Sequence, residues 1–72
     1  MIKENEILTF EDGKKFNVIH SFMMDNTNYV FLYEEGNPRN VLYAKFINDE
    51  IVTIDDEEEL KKYYEKLKEE ML

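Results

Sequence analysis

His20 and Ser21 are the only histidine and the only serine in the chain, and they are neighbours. An imidazole beside a hydroxyl is the raw material of nucleophilic catalysis, in which the ring takes the proton of the attacking oxygen. The surrounding residues, Phe16 to Met24, read as a β-strand, and successive strand residues point to opposite faces. The ring is therefore directed away from the hydroxyl, and the pair is expected to be inert. Thr9, Thr27 and Thr53 sit in no nucleophile motif. His20 reads as solvent-facing or locally satisfied rather than as a general base or metal ligand.

Carboxylates are the other chemical resource. The chain carries 17 acidic residues against 9 Lys and Arg, a formal net charge of −8. A calcium loop needs oxygen donors at alternating positions ahead of a glycine. From Asp25 those positions hold Thr27, Tyr29 and Phe31, and from Asn48 they hold Glu50 and Val52, so neither turn qualifies. With no cysteine, thiolate metal sites and disulfides are excluded, which suits a reducing cytoplasm. Two glycines cannot build a phosphate-binding loop, and Arg39 is the only arginine, so nucleic acid is not an expected ligand. Paired carboxylates for glycoside hydrolysis would need a sugar-sized cleft that so short a chain seldom supplies. No catalytic, cofactor-binding or metal-binding residue is assigned, and the chain reads as a non-enzyme that needs no cofactor.

The densest acidic run, DDEEELKKYYEKLKEEML from Asp55 to Leu72, has a structural explanation. At about 100° per residue, Leu60, Tyr63, Tyr64, Leu67 and Met71 fall on one stripe of a helix. Asp55 or Asp56 can cap it, with Glu58 or Glu59 completing a capping box. Acids crowd the first turn, where the helix dipole favours them, and Glu57–Lys61 and Glu58–Lys62 are pairs four apart. Residues 55–72 hold eight acids and four lysines, and residues 1–54 hold nine acids and five bases, so each part is net −4. The acidity belongs to the whole chain rather than to a specialised tail.

The remaining elements follow from alternation and turn chemistry. Strands are predicted at 7–10, 16–24, 29–33, 41–47 and 51–54, with the helix at 56–71. Glu11-Asp12-Gly13-Lys14, Asp25-Asn26-Thr27-Asn28 and Asn48-Asp49-Glu50 are turn signals, and Glu34 to Asn40 is the widest loop. Such connections are too short for parallel crossovers. The expected fold is α+β: a single domain over residues 1–72, built as a five-stranded antiparallel meander, strongly twisted or barrel-like, with one C-terminal amphipathic helix. The longest unbroken apolar stretch, Tyr29 to Tyr33, is far below the ~20 residues of a membrane span, and MIKENEIL lacks the apolar run of a signal peptide.

Strands three and four are apolar on both faces. Val30 and Leu32 alternate with Tyr29, Phe31 and Tyr33, and Leu42, Ala44 and Phe46 alternate with Val41, Tyr43, Lys45 and Ile47. One helix covers one sheet face. The other is expected to expose aromatic side chains, with Tyr29, Phe31, Tyr33 and Tyr43 as the partner surface, unless the strands curl into a small barrel that hides both sets. The expected function is protein interaction or self-association through this aromatic face or an exposed strand edge. The alternative is an acidic inhibitor that occupies the basic groove of a nucleic-acid-binding protein.

The segments ILTFEDGKKF, FNVIHSFMMD, NYVFLYEE and IVTIDDEEEL together resemble the domain of unknown function 1292 family, small acidic proteins of bacteria, mainly Firmicutes. The resemblance runs from about Glu6 to Leu67. It implies a cytoplasmic bacterial protein and brings no activity, cofactor or catalytic residue.

Overall fold

The computed structural model describes residues 1–72, and its elements run β1 (Ile7–Thr9), β2 (Lys15–Met24), β3 (Thr27–Glu34), β4 (Asn37–Ile47), β5 (Glu50–Thr53) and α1 (Glu57–Met71). The strands form one antiparallel sheet in the order β1-β2-β3-β4-β5, curled into a half-barrel with the helix packed on it. The α+β meander expected from the sequence is the fold observed.

Local chemistry accounts for the turns. Asp25-Asn26 and Asn48-Asp49 each link two strands directly, and all four residues have positive φ, between 50° and 64°. That is the backbone of a two-residue hairpin whose twist matches the strands, and Asn and Asp tolerate it best after glycine. Gly36, at φ 84°, turns the third hairpin, where Glu34 pairs directly with Asn37. The wide loop expected at Glu34–Asn40 is therefore a tight turn followed by a bulge. Pro38, Arg39 and Asn40 are extra residues on β4 before Tyr33↔Val41 restores the register, and the Asn40 amide donates to Glu34 Oε1 at 2.9 Å. A proline can occupy a bulge because no ladder bond is asked of it there.

A second bulge decides which residues meet the helix. Val18 pairs with Leu32, but His20 pairs with Phe31, leaving Ile19 unmatched. The extra residue reverses the alternation within β2. Phe16 and Val18 face the inside of the curl together with Val30, Leu32 and Ala44. Beyond the bulge Phe22 turns to the outside, where it joins Tyr29, Ile54, Tyr63 and Leu67. The two faces thus carry two separate cores.

The inner core is closed by the start of the chain. Ile2 is buried in it, and its backbone N–H donates to the buried Asn28 Oδ1 at 2.9 Å. Asn28 in turn donates to Ser21 Oγ and to the Phe22 carbonyl, so this buried polar group is satisfied from several sides.

The outer core is closed by α1. Asp56 caps the helix by accepting from the Glu58 N–H at 3.3 Å, and Glu57, Glu58 and Glu59 occupy the first turn. Of the predicted stripe, Tyr63 and Leu67 are buried and Leu60 is half-buried, while Tyr64 and Met71 are 43% and 48% exposed. The Tyr63 hydroxyl reaches through the outer core to donate to the Val30 carbonyl at 2.7 Å. No helix is long and apolar enough to cross a membrane.

Candidate protein-interaction site

The four aromatic residues assigned as a partner surface do share one sheet face, as their alternation requires, but it is the face that the helix covers. Tyr29 is 4% exposed beneath α1, within ring-packing distance of Phe22 and Tyr63, and offers no contact area. Phe31 and Tyr43 stack on each other with centroids 5.4 Å apart, and both are half-buried at the margin of the helix cluster. Tyr64 lies edge-on to Tyr43 at 5.0 Å. Tyr33, half-buried, lies farther along the face between Asn17 and Val41. The expectation that the helix leaves these aromatics open is corrected for Tyr29, which it covers; Phe31 and Tyr43 border the helix and Tyr33 lies beyond it. The reason is the link from β5. Ile54 points into the outer core beside Tyr43, and only Asp55 and Asp56 separate it from the helix, so α1 must fold back over that same face.

Charge anchors the docking. Lys45 Nζ donates to both Glu59 carboxylate oxygens at 2.8 Å, and the Tyr29 hydroxyl donates to Glu59 Oε2 at 2.7 Å. The hydrogen bond from Lys45, and then that from Tyr29, holds the Glu59 carboxyl below the usual carboxylate range. Burial first, and the bond to Glu59 second, push the Tyr29 phenol up to about 12. Glu59 is thus spent on the sheet and does not close the predicted capping box.

His20 and Ser21 point to opposite faces. His20 Nδ1 lies 2.7 Å from Glu4 Oε1, and its buried Nε2 is 3.8 Å from Glu70 Oε1 with no hydrogen-bond partner. Ser21 Oγ accepts from Asn28 on the inner face. The geometry gives the hydroxyl no base. Nor does any group of three or more His, Asp or Glu side chains converge where a metal ion could bind.

The larger of the two main concavities lies elsewhere, along the seam where the half-barrel stays open. A cleft of ≈ 880 Å³ runs between β1 and the start of β5. Its apolar lining consists of Ile2, Ile7, Leu8, Phe10, Phe46 and Ile51, and its polar lining holds Glu6, Glu11, Asp12, Asp49 and Glu50 with no basic residue. None of these five carboxylates forms an ion pair.

Both walls are strand edges with free backbone groups, because only alternate residues of an antiparallel strand bond a given neighbour. On β1, the Glu6 carbonyl accepts from Val18 and the Phe10 N–H donates to Lys14, so Leu8 between them also faces β2. Ile7 and Thr9 therefore turn their N–H and C=O groups outward. On β5, the Ile54 N–H donates to the Tyr43 carbonyl, which puts Glu50 and Val52 in phase with β4 and leaves Ile51 and Thr53 facing outward.

Sequence reasoning named an exposed strand edge but not this cleft; the available signal was that an up-and-down meander whose sheet stays open leaves its first and last strands as edges. Compared with family models, with characterised proteins and with solved structures, the chain gives no significant match in any of the three.

Proposed function

We propose that this chain is a non-enzymatic protein-interaction module that binds through its free strand edges. The observation that carries the reading is the open seam: two unpaired strand edges flank an apolar floor in a cleft of ≈ 880 Å³. Exposed edges are normally blunted or covered, and an edge beside an apolar cleft is a template for a partner backbone. The aromatic face supports the reading less, since the helix buries Tyr29 and borders Phe31 and Tyr43. The inhibitor reading is weaker on charge layout. A phosphate mimic needs unbroken rows of carboxylates, whereas the exposed side of α1 intersperses Lys61, Lys62 and Lys68 among its glutamates. We place the module in the cytoplasm, for which a chain without cysteine is suited.

The test is a capture experiment with paired variants. Thr9→Pro removes an outward N–H from β1, and Tyr64→Ala alters the exposed flank of the helix. A partner retained by Tyr64→Ala and lost by Thr9→Pro supports the edge. The reverse pattern would move the site to the helix, and a partner released in proportion to salt by both would favour the inhibitor reading.

A further inference from the structure

We infer that the occupant of the seam is an extended segment of alternating apolar and basic residues, inserted as a sixth strand between β1 and β5; this rests on the edge-binding reading above. Direction is the first argument. In a five-stranded up-and-down meander the first and last strands run the same way, so β1 and β5 cannot pair antiparallel with each other. A strand of opposite direction can pair antiparallel with both. It would take up the outward backbone groups of Ile7 and Thr9 on one side and of Ile51 and Thr53 on the other.

Side-chain chemistry is the second argument. Leu8 pairs with Phe16 and Ile51 with Phe46, so both point into the inner core. Alternate residues of the inserted strand would lie over that apolar floor and must be apolar themselves. The residues between them face out, on the side to which Glu50 points, and further carboxylates ring the ends of the cleft. Glu6, Asp49 and Glu50 stand where the two edge strands begin, and Glu11 and Asp12 stand just beyond the end of β1. With no basic residue lining the cleft, charge complementarity selects Lys or Arg at those positions. The same charge argues against a second copy of the chain, which would bring another −8 to the seam.

The full chain, isotope-labelled for NMR, would be titrated with three short synthetic peptides: alternating lysine–valine, glutamate–valine and threonine–valine. The expected result is that the lysine–valine peptide shifts the amide signals of Ile7, Thr9, Ile51 and Thr53, and that the glutamate–valine peptide does not. Thr9→Pro should weaken binding about five- to tenfold through loss of one backbone donor. Glu50→Lys, at an exposed position, should also weaken it and serves where the proline variant fails to fold. Equal binding of the threonine–valine peptide would overturn the basic partner while leaving the edge-binding module intact. Shifts confined to α1, or none with any peptide, would overturn both. Sedimentation of the free chain as a dimer that pairs these edges would assign the seam to a second copy and overturn the inserted strand.

Discussion

At the scale of single residues, the Lys45–Glu59–Tyr29 contacts tie helix to sheet through ionisable groups, which makes a pH dependence of stability the expected outcome. A carboxyl whose folded pKa is lowered stabilises the fold above its ordinary value, near 4.5 for Glu59, and that contribution disappears as pH falls through the lowered folded value. Urea melts of the native chain should therefore lose stability on the acid side of pH 4.5, and Glu59→Gln should lack that part of the loss. Tyr29 works with the opposite sign. Its phenol is raised to about 12, so its contribution is complete below pH 10 and is lost as pH rises from there through about 12. Stability measured across that alkaline window should fall less steeply in Tyr29→Phe than in the native chain. Neither behaviour was legible in the sequence. Glu59 looked like one of several first-turn acids, and its partners lie 14 and 30 residues away.

Among the elements, the helix shows how far a periodic pattern reaches. The face that meets the sheet is centred toward the Tyr63 side of the stripe, with Leu67 and Leu60 beside it and Tyr64 and Met71 on the far flank, because consecutive tyrosines sit about 100° apart and only one can face the sheet squarely. Leu67→Ala should cost about 2–4 kcal/mol, as a core truncation does. Tyr64→Ala should cost distinctly less, and Glu69→Gln should stay within about 0.5 kcal/mol. Denaturant midpoints for the three variants check the ranking; equal losses for Leu67→Ala and Tyr64→Ala would place the stripe's centre wrongly. The turns make a second prediction. Asp49 has φ 64°, a left-handed conformation that a β-branched residue strongly resists. Asp49→Val should destabilise by about 1–2 kcal/mol, read from the same melts.

Over the whole molecule, stability depends on two cores that share a sheet and are sealed from opposite directions. The helix seals the outer one. The inner one relies on Ile2, which is 7% exposed although it stands outside every strand. Ile2→Ala should cost about 2–4 kcal/mol and increase amide exchange along β1, since the residue both packs against the inner core and lines the cleft. A change below about 0.5 kcal/mol in thermal or urea melts would show that the inner core is closed by the strands alone. The open seam also has its cause at this scale. With five strands the curl stops short of closure, and the edges left behind are the first and last strands of the chain.

What the sequence determined by itself was short in range. Asn and Asp pairs at the two hairpin turns, strict alternation in β3, and the 3.6-residue period from Leu60 to Leu67 are each settled by a few adjacent residues. From them the meander and its helix follow. Tertiary structure decided which face the helix covers, since alternation defines two faces without saying how either is closed. The two-residue link after Ile54 folded α1 onto the aromatic side, the bulge at Ile19 turned Phe22 to meet it, and Ile2 sealed the other side. The cleft was hidden for the same reason. Its walls are residues from both ends of the sheet, and only the curl of the intervening strands brings Ile7 and Ile51 to one opening.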